Sequence, residues 1–264
     1  MDSPTLDAPT PDHIAHNGRW WRERAESYLL LHSEQLPTRD PEWAVFSIPN
    51  SELDALPDVA GLDVIELGSG AAQFSLGLAR QGARCTALDF SPEQIVLAEE
   101  LIARATEEDG GVRPDVTLLL GDAEETGLPD ASFDVAFSDY GASMFCDPLR
   151  WVPEAARLLR PGGRLAFSSI TPMLEVCWHP KDDVSSTMVK DYFGLHRVEH
   201  DAVFFNLPYG EWVRLFRRSG LTIVDMIETR PREGMESNAY RSANQIEWAR
   251  RWPAEMIWVL DRAA

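Results

Sequence analysis

The chain has 264 residues, 44% of them hydrophobic, and 43 acidic side chains against 24 basic ones give a net charge of −19. That length can bury a sizeable core as one α/β domain, whereas the acidity opposes a nucleic-acid partner, whose affinity rests on Lys and Arg neutralising phosphates. Cys85, Cys146 and Cys177 form no C-x-x-C pair, which argues against a disulfide framework or zinc knuckle and for a reducing, cytoplasmic setting; nothing reads as a signal peptide or approaches the roughly 20 apolar residues of a membrane span.

Residues 1–12, with Pro4, Pro9 and Pro11, read as a loose tail. From Gly18 onward Trp20, Trp21, Ala25, Tyr28, Leu29 and Leu31 recur at helical spacing and predict a helix that ends before Pro37. Asp40 to Leu56 reads as an irregular connector, with a short helix beginning at Ser51-Glu52-Leu53. Leu62 to Leu67 then fits a buried strand broken by Gly68-Ser69-Gly70, followed by a helix over Ala71 to Arg80 that stops at Gly82. A second strand, Arg84 to Leu88, ends at Asp89, 19 residues after Gly70. Together these make a β-loop-α-β unit. Its glycine turn lets a ligand approach backbone at a helix N-terminus, and Asp89 is placed to accept two hydrogen bonds from a ribose.

Ser91 can cap the next helix, Pro92 suits its first position, and Gln94 can reach back. Its buried face is expected at Ile95, Leu97, Ala98, Leu101, Ile102 and Ala105, and Asp109-Gly110-Gly111 ends it. Val116 to Leu120 is a third strand, leading into Gly121-Asp122-Ala123-Glu124. A fourth strand, Ser132 to Phe137, ends in Ser138-Asp139-Tyr140-Gly141, which lies where ligands bind in parallel sheets, outside the carboxyl ends of the strands. Pro148 to Leu159 is helical, and Arg160-Pro161-Gly162-Gly163 turns the chain into a fifth strand, Arg164 to Ser169. The aromatic stretch from Ile170 to Pro208 has little pattern. His196 and His200 share an i, i+4 spacing there but lack a third ligand, so no metal site is assigned. Tyr209 to Ser219 is an amphipathic helix, and Leu221 to Ile227 and Glu255 to Leu260 are the last two strands, joined by Arg230 to Pro253.

Two details of the glycine turn bear on the ligand. A dinucleotide fingerprint needs glycine or alanine where Gln73 stands. Glu66, two residues before Gly68, would repel a pyrophosphate and favour a cation. S-adenosylmethionine, with its ammonium and sulfonium and no phosphate, suits that turn better than NAD.

The runs Val64-Ile65-Glu66-Leu67-Gly68-Ser69-Gly70, Ala87-Leu88-Asp89-Phe90-Ser91, Gly121-Asp122-Ala123-Glu124, Phe133-Asp134-Val135-Ala136-Phe137-Ser138 and Leu159-Arg160-Pro161-Gly162-Gly163-Arg164-Leu165 resemble, in order, the motif series of class I S-adenosylmethionine-dependent methyltransferases. The resemblance implies an α/β fold: a Rossmann-like doubly wound sheet of seven strands, one antiparallel, with helices on both faces. It implies a methyl donor held by Glu66, Gly68, Ser69, Gly70, Gln73, Asp89, Phe90, Gln94, Asp122, Ala123, Glu124 and Ser138, with Asp122 reading the adenine amino group. It also implies an aromatic lid helix of W-x-x-x-A-x-x-Y kind over the donor pocket, matched by Trp21, Ala25 and Tyr28, with Tyr28 as a further donor-binding residue, and an acceptor-covering insertion after strand five. The expected organisation is a tail over 1–12 and one domain over 13–264, with 13–56 as the lid region and 170–208 as the insertion.

The activity expected is direct methyl transfer to a small molecule through an O, N or C nucleophile. Ser138-Asp139-Tyr140-Gly141 lacks the N-P-P-Y motif used on amino nitrogens of nucleic acids and some proteins, which counts against adenine or glutamine N-methylation. Candidate catalytic groups are Asp139, Tyr140 and His179, with His13 and His16 before the lid helix as further possible bases. A Rossmann-type NAD(P) oxidoreductase and a non-catalytic S-adenosylmethionine-binding protein are the alternatives. No nucleic-acid or membrane partner is expected, and a homodimer is compatible with the chain.

Overall fold

The computed structural model describes residues 13–25, 27, 37–179, 183–199 and 201–264. Its central sheet contains β1 (Asp63–Leu67), β2 (Arg84–Asp89), β3 (Val116–Leu120), β4 (Phe133–Asp139), β5 (Leu159–Ile170), β6 (Leu221–Thr229) and β7 (Glu255–Arg262). The spatial order is β6-β7-β5-β4-β1-β2-β3. Only β7 runs antiparallel to its neighbours in this sheet; the pairs β1–β2, β1–β4, β2–β3 and β4–β5 are parallel. Val64, Ile65 and Leu67 of β1 are fully buried. That continuous apolar run is what a strand covered on both faces requires. From β1 the chain winds outward through β2 and β3, then returns to lay β4 on the other side. The strand order therefore reverses between β1 and β4, and a crevice opens at their C-terminal ends.

Helices α2 (Gln73–Arg80) and α3 (Pro92–Glu108) cover one face, where Phe74, Leu78, Ala98 and Ile102 pack with Val64, Ala87 and Phe137. On the other face, α4 (Pro148–Leu158) and α6 (Tyr209–Arg218) bring Trp151, Trp212 and Phe216 against Phe167 and Trp258. The start of α3 is as expected: Ser91 Oγ accepts from the Gln94 amide at 3.3 Å and Pro92 follows it. Ile95, Leu97 and Leu101 are only half-buried, so the face that α3 buries, at Gln94, Ala98, Ile102 and Ala105, is narrower than expected.

Three regions depart from the sequence reading. Helix α1 (His13–Arg22) starts at His13, upstream of the expected Gly18. The cause is tertiary: Asn17 Nδ2 donates to the carbonyls of Val203 at 2.9 Å and Phe145 at 3.3 Å, and its Oδ1 accepts from the Val203 amide at 2.9 Å. The connector from Asp40 to Leu56 is ordered by burial of Trp43 and Phe46 and by pairing of Glu42–Trp43 with Ile48–Pro49. Between β6 and β7 lies α7 (Ala243–Ala249), opened by a capping box of Ser242 and Gln245 that the sequence reading passed over.

The segment after β5 forms α5 (Pro172–Cys177) and two short hairpins, Trp178–His179 with Asp183–Val184 and Arg197–Glu199 with Val203–Phe205. His196 therefore precedes a strand rather than sharing a helix face, and its Nε2 lies 2.9 Å from Asp147. His200 and Tyr28 lie outside the described residues.

Candidate active site

A cavity of about 600 Å³ lies across the C-terminal ends of the strands and under α1. One end is formed by the turn after β1 and the ends of β2 and β3: Glu66, Gly68, Ser69, Gly70, Gln73, Asp89, Phe90, Gln94, Asp122 and Ala123 all line it. The other end lies beyond β4 and β5, at Asp139, Tyr140 and Ile170, and is closed by Trp20 and Trp21 of α1 with Phe145 and Phe204. Those rings form one aromatic wall, with Phe145 centred 5.4 Å from Trp21 and 5.1 Å from Phe204. Three strand spacings separate β2 from β5, so the two ends lie about 14 Å apart.

At the first end, Asp89 organises the loops around it. Its Oδ2 accepts from the Gly70 amide at 2.8 Å and its Oδ1 from the Ser91 amide at 2.9 Å. Each carboxylate oxygen keeps lone-pair capacity for a further donor. Burial nevertheless outweighs these bonds and pushes the carboxyl up to about 6. Glu66 is buried more completely. Its Oε2 accepts from Ser75 Oγ at 2.6 Å and the Ser75 amide at 3.1 Å, yet burial raises its carboxyl to about 8. A carboxyl held neutral by burial, with the charges of Asp139 and Asp89 adding to the effect, is a place where a cationic ligand restores the charge.

The glycines divide their work differently from the expectation that Gly68 admits the ligand. Gly68 has φ +74°, and a Cβ there would lie 2.4 Å from the Ala142 amide nitrogen. Across from it, a Cβ on Gly141 would lie 2.0 Å from the Gly68 carbonyl oxygen. Backbone meets backbone at the switch point, so both positions exclude side chains for the protein's own packing. Gly70, φ +54°, has only the Gln94 side chain near its missing Cβ, at 3.8 Å, and leaves the open approach.

Several proposed site residues are placed elsewhere. Glu124 does not line the cavity; its Oε1 meets His13 Nε2 and accepts from the Asp147 amide, each at 2.7 Å, and its Oε2 pairs with Arg150 at 2.8 Å. It anchors α1 rather than a ligand. His13 is thereby a buried residue of α1, and His16 faces the Asp201 carbonyl at 3.0 Å, so neither stands before the lid helix as a base. Ser138 Oγ donates to the Leu67 carbonyl at 2.7 Å and accepts from the Ser143 amide at 3.2 Å, tying β4 to β1 behind the cavity wall. His179 sits on a short hairpin and does not line the cavity, although its neighbour Trp178 does.

Asp139 and Tyr140 do reach the cavity. Asp139 Oδ1 accepts from the Ala44 amide at 2.9 Å and closely from Ser168 Oγ, and burial pushes its carboxyl up to about 6. Tyr140, at φ +53°, donates its hydroxyl to Glu255 Oε1 at 2.8 Å. Burial, reinforced by the Glu255 charge, holds that phenol well above its ordinary value. Glu255 itself, fully buried, is pushed up to about 7. Beside them stands Arg241, which the sequence reading missed: it lies 101 residues from Tyr140, in a stretch without periodicity. Phe145 and Phe204 carried only the general signal of aromatic content.

Residues 65–167 match the family described as a methyltransferase domain. An uncharacterized methyltransferase of Mycobacterium tuberculosis is 34% identical over 121 residues, 46% of this chain and 45% of that protein. A demethylmenaquinone methyltransferase of a Mycobacterium species is 30% identical over 132 residues, 50% of this chain and 49% of that protein. The chain thus spans about half the length of these curated relatives. Among solved structures, an S-adenosylmethionine-dependent methyltransferase described as putative, from Listeria monocytogenes, superposes with a TM-score of 0.64 at 16% identity, over 81% of this chain and 98% of that one. This likeness concerns the fold.

Proposed function

We propose, from the match of residues 65–167 to a methyltransferase domain and the likeness to a mycobacterial methyltransferase, that the chain is a class I S-adenosylmethionine-dependent methyltransferase that transfers the donor's methyl group directly to a small-molecule acceptor and leaves S-adenosylhomocysteine. The observation that carries this reading is the single cavity joining the glycine turn of β1 to the aromatic compartment under α1. Asp89 would hold the ribose hydroxyls, Gly70 would admit the backbone-close part of the donor, Asp122 and Ala123 would flank the adenine, and Glu66 would face the ammonium and sulfonium. A buried carboxyl that a cation returns to its charged form, beside a turn with glutamine at its third position, suits S-adenosylmethionine better than a pyrophosphate, which sets the oxidoreductase alternative aside. The relative that acts on demethylmenaquinone supports a small-molecule acceptor.

When bound, S-adenosylmethionine supplies an electrophilic methyl carbon on a good leaving group. The remaining work falls to the chain. Holding donor and nucleophile in line can supply roughly 7–11 kcal/mol of the barrier, and the ring wall of Trp20, Trp21, Phe145 and Phe204 excludes water. A general base adds about 10²- to 10⁴-fold, so alignment carries most of the rate. For an acceptor that sheds a proton, Asp139, with its carboxyl near 6, is the cavity group matched to take it. Tyr140, held protonated, serves as a hydrogen-bonding group. The three free cysteines suit the reducing, cytoplasmic setting of this reading, and among the described residues no helix is long and apolar enough to cross a membrane.

Calorimetry tests the donor half: S-adenosylhomocysteine binds and NADH does not. Incubation with radiolabelled donor and fractionated metabolites tests the transfer half. Tight NADH binding without S-adenosylhomocysteine binding overturns the reading, and donor binding with no labelled product in any pool leaves only a binding protein.

A further inference from the structure

Resting on the methyl-transfer reading, we infer that the acceptor carries an oxyanion, a carboxylate or an ionised enol or phenol, which Arg241 holds at the end of the cavity away from Asp89. The guanidinium is buried, 7% exposed, on the cavity wall. Its Nε–H makes no hydrogen bond. Its contacts run through Nη2, 3.4 Å from the Tyr140 hydroxyl and 3.7 Å from Glu255 Oε1. A buried guanidinium whose planar fork is mostly unused has donors left over for a flat, charged oxygen pair.

Of the neighbouring carboxylates only Glu255 pairs with Arg241, through Nη2, and each of them also has other donors. Glu175 pairs closely with Lys190 Nζ. Asp139 accepts from the Ala44 amide and Ser168 Oγ, and Glu42 takes a hydrogen bond from Ser47. Glu255 accepts from the Tyr140 hydroxyl at 2.8 Å and the Val45 amide at 3.2 Å. Burial also biases Glu255 toward its neutral form, which weakens its hold on Arg241. The group left with unused hydrogen-bond donors at this end of the cavity is therefore Arg241.

The site is built rather than accidental. Asn238 Oδ1 accepts from the amides of Tyr240 and Arg241, each at 2.9 Å, and Asn238 Nδ2 donates to the Val45 carbonyl at 2.8 Å. That turn is held on its far side by the Ser242 cap of α7. The guanidinium also lies 5.7 Å from the centre of the Trp178 ring. With Phe145 and Phe204 on the same cavity, the body of the acceptor is apolar and flat while its oxyanion meets Arg241.

Two matched probe pairs test this on protein loaded with S-adenosylhomocysteine: 2-naphthoate against 2-naphthamide for the carboxylate, and 4-hydroxycoumarin against coumarin for the enolate. The expected result is that at least one anionic member binds and its neutral partner binds about tenfold to a hundredfold more weakly, and that Arg241→Met removes the difference. Which pair discriminates distinguishes carboxylate from enolate. Arg241→Lys, which keeps the charge without the fork, should fall between wild type and Arg241→Met. S-adenosylhomocysteine affinity measured on each variant serves as the folding control and is expected to be unchanged. Equal binding of charged and neutral probes, or a preference that survives Arg241→Met, overturns the proposal. Anion preference kept by Arg241 in a protein that binds no S-adenosylhomocysteine would instead overturn the methyl-transfer reading.

Discussion

Glu66→Gln isolates the electrostatic basis of donor binding. Burial pushes the Glu66 carboxyl up to about 8, so at pH 7 it is about nine-tenths neutral before the donor binds. An ammonium and a sulfonium beside it favour the charged form and lower the bound value. Binding then releases a proton, and wild-type affinity rises with pH by the factor that returns the free carboxyl to its charged state. For a group titrating near 8 the rise between pH 6 and pH 9 is at most about a hundredfold, reached when the bound carboxyl stays charged throughout. Glutamine keeps an oxygen to accept from Ser75 and cannot ionise. The titration of the ligand's own amino group is common to both proteins and cancels in their ratio. The assay is calorimetry with S-adenosylhomocysteine and S-adenosylmethionine across that range, repeated in two buffers of different ionisation enthalpy to count protons. A wild-type to Glu66→Gln affinity ratio that stays constant with pH would refute the assignment. Stability of the empty protein carries the opposite sign. The folded value lies above the ordinary 4.5, so the native state holds the extra proton and this group's contribution is lost as pH rises from about 4.5 to 8. Thermal melts of the unliganded protein should show that loss, and Glu66→Gln should flatten it.

Asp89→Ala should weaken donor binding about tenfold to a thousandfold, since two charge-assisted hydrogen bonds are worth roughly 2–4 kcal/mol; unchanged affinity in a folded variant sinks the ribose assignment. Gly68→Val should lower stability by several kcal/mol, because the new Cβ meets the Ala142 amide nitrogen at 2.4 Å from a left-handed backbone, and chemical denaturation would reveal a mere ligand block as unchanged stability. Removing residues 1–12 should leave turnover intact, whereas removing 1–36 takes away Asn17, Trp20 and Trp21 and should abolish it with the sheet still folded; full activity of the longer truncation refutes the lid. With saturating donor, Asp139→Asn should reduce kcat more than tenfold for an acceptor that sheds a proton, and His179→Ala should be near normal because His179 does not line the cavity; the reverse pattern overturns both roles.

The β-loop-α-β unit and the strands that follow it are legible in the amino-acid sequence, because their signals are local. Apolar runs that stop at Gly68 and Asp89, and a serine–proline start at Ser91 and Pro92, are read within a few residues, and the sheet formed where they placed it. The remaining assignments depend on partners far along the chain. Glu124 carries the local mark of a donor contact, yet His13, 111 residues away, takes its carboxylate. Gly68 looks like a glycine kept for a ligand, and the atom that excludes its side chain belongs to Ala142. Trp43 and Phe46 sit in a stretch without periodicity and are fully buried. Arg241 reaches Tyr140 and Glu255 from a turn shaped by Asn238. Periodicity reports which face of one element is apolar. Where a polar side chain ends depends on which distant donors or acceptors the fold delivers to it, and a buried group must take the partner it meets.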